Sequence, residues 1–258
     1  PSKLKNRADP NKVAVIIGIE NYAQAPKADY ANLDAKYFYE YATRGFGVKP
    51  ENINLLIDEN ATLVQSLTAL SKWLPGKIKK DKTELILFFS GHGLASPDGK
   101  ELYLLSQDSD TDLLNRTAIL RTDIFNDIKN SQPKSVMIFF DTCYSGFTRD
   151  NTTLLASARP VRILASDDAE VPDNFTIFSA SQLDQVSSSL DETEHGIFSY
   201  YLMKGLEGKA DNNKDKKITN GELLAYMDEN VSQIALELGR QQKPSLIGGK
   251  LDQVLMKY

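Results

Sequence analysis

The sequence predicts an α/β fold with a mostly parallel central sheet and helices on both faces. Three observations carry that prediction: continuous apolar runs at 13–19, 85–89 and 136–140, helical periodicity between them, and repeated alternation of the two patterns. A strand apolar on both sides is covered on both faces, and such strands belong to parallel sheets joined by crossovers.

The elements follow in order. VAVIIGI at 13–19 reads as a buried strand ending in turn chemistry. Leu33, Tyr37 and Tyr41, with Phe38 and Ala42 beside them, recur at helical spacing and predict an amphipathic helix over 29–44. Residues 53–57 predict a second strand. Thr62 with Gln65 forms a capping-box signature that opens a helix toward Trp73, which Pro75 ends or kinks. The runs 85–89 and 136–140 are two further buried strands, separated by a short apolar run at 102–105 and a helix near 123–130. Residues 175–179 predict another strand, followed by helices near 196–207 and 221–238. The stretch 147–174 is too long for an ordinary connection and reads as functional or flexible.

Composition narrows the setting. The chain has 258 residues, 41% of them hydrophobic, enough for a substantial core in one large domain. With 30 basic against 35 acidic side chains and a net charge of −5, no basic surplus points to nucleic acid. No apolar stretch approaches the ~18 residues of a membrane span. The single cysteine cannot form an internal disulfide, so the fold leans on no oxidising compartment, which slightly favours the cytoplasm. The chain opens with Pro1 and has no signal peptide, which reads as a trimmed or processed start, so export and oligomeric state stay open.

In parallel sheets the working surface is the carboxyl edge of the strands. The run 85–89 feeds into SGHG (Ser90 to Gly93), and 136–140 feeds into DTCYSG with the only cysteine, Cys143. A lone cysteine is most often apolar filler, and a lone histidine a hydrogen-bonded or surface residue. His92 and Cys143 at equivalent ends of two such strands instead predict a catalytic dyad. A thiol with a pKa of about 8.5 is mostly protonated at neutral pH, and an imidazole can stabilise the thiolate and later protonate a departing amine. The amides of Gly93 and Cys143 are candidate donors to an oxyanion, and no third member is required. His195 lies before a helix without such a frame and reads as structural or exposed.

These motifs resemble the caspase-type cysteine peptidases. Histidine and then cysteine, 51 residues apart, each close a hydrophobic strand. LILFFSGHG, SVMIFFDTCYSG, VAVIIGIENY near the start and FSASQLDQVSS at 178–188 are closer to the metacaspase and bacterial orthocaspase branch than to animal caspases. The resemblance covers roughly residues 10–238 and implies a three-layer caspase–haemoglobinase fold with His92 and Cys143 as the dyad. Tyr144 departs from the histidine that many metacaspases carry there. It also implies an organisation: an N-terminal extension over 1–10, a peptidase domain over 11–238 and a C-terminal segment over 239–258. Within the domain, a large portion to about 146 and a small portion from about 175 flank the 147–174 loop.

Two acids bind a basic side chain in the metacaspase branch, and the matching positions are Asp34 and Asp141, with Ser90 as a pocket wall. A carboxylate pair suits the guanidinium of arginine best, so the implied partners are proteins or peptides with basic residues. Asp34 could instead face solvent or cap its helix. The chemistry requires no cofactor. Calcium is a candidate ligand of DNNKDKKITNGE, where Asp211, Asn213, Asp215, Lys217, Thr219 and Glu222 occupy the positions of a calcium loop. Lys216 replaces its glycine, and Thr219 with Glu222 also reads as a capping box. Arg162 and, less readily, Arg149 are candidate self-cleavage sites, whereas Pro160 argues against Arg159. The alternative to an endopeptidase is a catalytically silent caspase-like interaction or regulatory module.

Overall fold

The run KVAVIIG forms the strand β1 (Lys12–Gly18) in the computed structural model, which describes residues 1, 4–142, 144, 171–180 and 189–258. It is followed by α1 (Ala31–Arg44), β2 (Ile53–Ile57), α2 (Leu63–Leu67), α3 (Leu74–Lys77) and β3 (Glu84–Ser90). A small excursion, β4 (Gly93–Ala95), β5 (Leu102–Leu105), α4 (Leu114–Thr117) and β6 (Ala118–Leu120), leads to α5 (Arg121–Asn130) and β7 (Ser135–Asp141). Then come β8 (Phe175–Ser179), the two-residue β9 (Ser189–Leu190) and β10 (His195–Gly196), and α6 (Ile197–Lys204). The chain closes with β11 (Lys217–Thr219), α7 (Asn220–Glu237), β12 (Ser245–Gly248) and β13 (Val254–Lys257).

The central sheet has six strands in the order β12-β8-β7-β3-β1-β2. All neighbours pair in parallel except β12, which runs antiparallel along β8 at one edge. Alternation along the strands divides the core in two. Ile16, Ile86, Phe88 and Phe139 pack with Phe38 of α1, Phe198 and Leu202 of α6 and Met227 of α7. Ile17, Leu87, Ile138 and Phe140 pack with Leu74 of α3 and with Ile124 and Phe125 of α5. Phe38 stacks on Phe88 with ring centroids 4.3 Å apart, fixing α1 to the middle of its face. The result is the three-layer α/β arrangement expected from the alternating pattern.

The structure revises several details. The Thr62–Gln65 capping box forms, but the helix it opens widens into a π turn over Thr68–Trp73 and resumes as α3. Pro75 lies just after the π turn, within continuous helix, and the helix ends two residues later at Lys77. The apolar run at 102–105 belongs to a separate three-stranded antiparallel sheet with β4 and β6. Residues beyond 238 are integral to the fold, since β12 extends the main sheet and β13 pairs with β11. The N-terminal residues are tied down as well, with Leu4 buried and Asp9 bridged to Val48. Among the described residues, no helix is long and apolar enough to cross a membrane. The 147–174 loop, apart from its last residues, lies outside the described residues.

Gly18 closes β1 directly beneath α1. A Cβ there would lie 2.4 Å from the Cβ of Ala35 and 2.5 Å from the carbonyl oxygen of Ala31, so only glycine allows this approach. Gly18→Ala should destabilise the protein by about 1–3 kcal/mol. Urea denaturation checks this, and an unchanged midpoint would contradict the tight seating of α1.

Candidate active site

Gly18, Ser90 and Asp141 stand in register at the carboxyl ends of β1, β3 and β7. Their strands' alternation turns Ser90 and Asp141 toward the α1 and α6 layer, where Asp34 meets them. Asp34 is fully buried, and Ser90 Oγ donates to its Oδ2 at 3.2 Å. The other donors come from far downstream: His195 Nδ1 lies 2.7 Å from Asp34 Oδ1, and the Gly196 N–H reaches both oxygens at 3.3 and 3.2 Å. Asp141, also fully buried, accepts from Ser199 Oγ at 2.6 Å and from the Ser199 N–H at 3.3 Å through Oδ2.

Local structure explains the convergence. Helix α6 begins after Gly196, which has no side chain to cap it. Its first N–H groups need acceptors and carry the positive end of the helix dipole, and the two carboxylates answer both needs. Asp34 thus neither faces solvent nor caps its own helix. His195 is not an isolated or exposed residue either. It is mostly buried, bonded to Asp34, and lies edge-on to Tyr37 at 4.9 Å.

His92 is held on three sides. Its N–H donates to the Tyr22 hydroxyl at 2.7 Å, and its ring stacks on Tyr22 at 4.8 Å. Its Nε2 lies 2.9 Å from the carbonyl oxygen of Pro26. A carbonyl only accepts, so Nε2 carries the proton in this contact and Nδ1 is the basic nitrogen of the neutral ring. Gly91 permits the arrangement, because a Cβ there would lie 2.5 Å from the Tyr22 hydroxyl.

The loop that presents Tyr22 and Pro26 is anchored by Asp58. That carboxylate accepts the N–H groups of Glu20 at 2.8 Å and Asn21 at 2.9 Å, and the side-chain amides of Asn21 at 3.2 Å and Asn32 at 2.7 Å. Burial raises its pKa, but the donors from Asn21, Asn32 and Glu20 outweigh that and hold it below the usual carboxylate range.

Cys143 lies outside the described residues, but both of its neighbours are described. Gly93 is packed against them: a Cβ on Gly93 would lie 2.8 Å from Thr142 Oγ1 and 2.8 Å from the Tyr144 ring. The Ala95 N–H bonds to the Tyr144 carbonyl at 3.3 Å, and the Gly91 N–H to the Asp141 carbonyl at 3.2 Å. Tyr144 is buried beneath the Arg121 guanidinium, 5.5 Å from its ring centroid. Arg149 and Arg162, the candidate self-cleavage sites, lie outside the described residues, as does the motif stretch 181–188.

The 211–222 loop makes the calcium-loop turn without assembling the ligands. Lys216 adopts the left-handed backbone, φ 62°, that glycine usually supplies. Asp211 is taken up by the N–H groups of Asp215 and Lys216 and by the Tyr258 hydroxyl, at 3.0–3.2 Å. The Asn213 side chain accepts from the Asp215 N–H, and Asp215 accepts from the N–H of Lys217. Glu222 closes the capping box with Thr219. Among the described residues, no group of three or more His, Cys, Asp or Glu side chains is arranged to hold a metal ion.

The sequence reading does not single out Tyr22, Pro26, Asp58 or Ser199 as site residues. His195 carried a usable signal, as one of only two histidines and next to a glycine at a helix start. Asp58 carried none, since its role depends on a loop folding back over it.

The sheet thus places a buried histidine after β3, and the sequence places its only cysteine after the neighbouring β7. The family model of the caspase domain (Peptidase_C14) matches residues 11–255, and the chain belongs to that family, whose members are generally cysteine peptidases. The fold is similar to that of protein GSU0716 from Geobacter sulfurreducens, with a TM-score of 0.63 at 17% identity over 95% of this chain and 97% of that one. It is also similar to caspase-1 from Spodoptera frugiperda, with a TM-score of 0.61 at 14% identity over 97% of this chain and 90% of that one. No curated protein sequence matches the chain.

Asp58→Ala should cost about 1–3 kcal/mol, because it strips four partly buried N–H donors of their acceptor. The depressed carboxyl contributes stability that is present above about pH 4 and lost as pH falls through the folded value. Acid-induced loss of stability should therefore be smaller in Asp58→Ala than in the wild type, as read from thermal melts across pH. Identical acid limbs would contradict this role.

Proposed function

We propose that the protein is a cysteine endopeptidase that cleaves after arginine, and less efficiently lysine, with Cys143 as nucleophile and His92 as its acid–base partner. The observation that carries this reading is the pairing of motifs. His92 is fixed through Nε2 by the Pro26 carbonyl, and Gly93 packs on both sequence neighbours of the only cysteine.

In this reading the thiol proton passes to His92 Nδ1 and the thiolate sulfur attacks the scissile carbonyl carbon. The oxyanion accepts hydrogen bonds from the amides of Gly93 and Cys143. Collapse breaks the C–N bond as His92 returns the proton to the leaving amine. Water, deprotonated by His92, then cleaves the thioester and restores the thiol. The carbonyl of Pro26 acts by orienting the imidazole and favouring its charged form during each transfer. The chemistry of this scheme requires no cofactor, and calcium enters only as a ligand to be tested.

Asp34 and Asp141 supply the preference for a basic side chain. Both are buried carboxylates on the same face of the sheet, and the planar guanidinium of arginine can engage two acids where lysine engages one. The motifs resemble the metacaspase and orthocaspase branch, which supports basic rather than acidic selectivity. Self-processing after Arg162 or Arg149 fits an enzyme of this preference with arginines in the segment after its nucleophile.

The test is peptide hydrolysis by the wild type, Cys143→Ala and His92→Ala on arginine, lysine and aspartate substrates, with and without calcium. Both substitutions should remove nearly all turnover while leaving the fold intact, and arginine should outpace lysine. Asp34→Asn or Asp141→Asn should lower catalytic efficiency on arginine about ten- to a hundredfold. Normal turnover by Cys143→Ala would sink the peptidase reading and leave the silent interaction module. A preference for aspartate would refute the pocket. Mass spectrometry should find chain breaks after Arg162 or Arg149 that are absent from Cys143→Ala.

A further inference from the structure

Asp34 and His195 are 161 residues apart in sequence and 2.7 Å apart in space. Asp34 is buried completely, so the donor that meets its Oδ1 decides the aim of the carboxylate. Oδ2 is met by the Ser90 hydroxyl, and the Gly196 N–H is shared between the two oxygens.

We propose that His195 is a positioning residue that sets specificity by holding Asp34 in the aim that recognises a basic side chain. This rests on the peptidase reading and its Asp34 pocket. The contact of Nδ1 with Oδ1 adds to those of the Ser90 hydroxyl and the shared Gly196 N–H and fixes the plane of the carboxylate. Among the described residues, the groups beside the ring include Asp34 and Tyr37 from α1 and Tyr200 from α6, whose ring lies 6.1 Å away. The turn that leads into His195 carries Asp191, Glu192 and Glu194, all exposed, with Asp191 accepting from the Tyr30 hydroxyl. Asp34 is the only buried acid among these, so it is the one whose aim the ring fixes.

The experiment compares two peptides that differ only at the residue before the cleaved bond, arginine against its uncharged isostere citrulline. The ratio of their catalytic efficiencies cancels any general loss of active protein. His195→Ala should lower the ratio about tenfold or more. His195→Asn, whose amide can donate from near the Nδ1 position, should keep a high ratio. Asp34→Asn should collapse the ratio and also move the ring nitrogen resonance of His195, which is readily assigned with only two histidines in the chain.

A wild-type ratio in His195→Ala, or a ratio in His195→Asn as low as that of His195→Ala, would overturn the inference while Asp34→Asn still collapses selectivity. If Asp34→Asn leaves the ratio intact, the pocket fails and this inference fails with it. Should His195→Ala fold poorly, His195→Phe, which keeps a ring but has no donor, decides the matter: a lowered ratio supports the inference and a wild-type ratio overturns it.

Discussion

Two carboxylates buried at the carboxyl edge of a parallel sheet converge on the start of one eight-residue helix. Taking a carboxylate out of water costs several kcal/mol unless donors replace the lost solvent. Asp34 and Asp141 find those donors in His195, Gly196 and Ser199, on a segment remote in sequence from both acids. The arrangement is reciprocal, because α6 starts without a side-chain cap and needs acceptors for its first amides. Neither the acids nor the helix could keep this position alone. Gly18 lets α1 descend onto β1 to deliver Asp34, and Phe38 stacked on Phe88 keeps it there.

A second constraint governs His92 and follows the same logic on a neighbouring loop. Asp58 gathers four N–H donors and so fixes the chain that carries Tyr22 and Pro26. These two residues in turn fix the imidazole, one by stacking and one by a carbonyl at Nε2. Site geometry therefore depends on one acid that never approaches a substrate and on others that would. A hydrogen-bonded carboxylate is suited to the first task, because it organises several backbone amides at once and remains charged over the neutral range.

Much of this was legible in the sequence because burial writes itself into composition. Strands covered on both faces are nearly pure apolar runs, so β1, β3 and β7 stand out, and the polar residues that end them mark the working edge. Ser90 and Asp141 end two of these runs, whereas Asp34, inside α1, was matched through the family resemblance, and the structure gathers all three on one face. What was not legible depends on long-range return of the chain. His195 reads as a bland residue until the path of β10 brings it to Asp34. Asp58 looks like any acid after a strand until the loop from Ile19 folds over it. The helix around Pro75 shows the local counterpart: proline signals a stop or a kink, yet a π turn comes before it and the helix runs on to Lys77. Residues 239–258 carry weak patterns, because an edge strand such as β12 gains its place by pairing with β8 rather than by its own periodicity.

The central claim is that the only cysteine is a nucleophile served by His92 and approached by a basic side chain. Affinity labelling tests it most directly, using peptidyl ketones that alkylate an activated thiol and end in either arginine or aspartate, read by intact mass and fragment mapping. The account predicts one adduct, on Cys143, formed quickly by the arginine probe, slowly by the aspartate probe, and lost in His92→Ala. Equal labelling by both probes, or labelling that persists undiminished in His92→Ala, would contradict it.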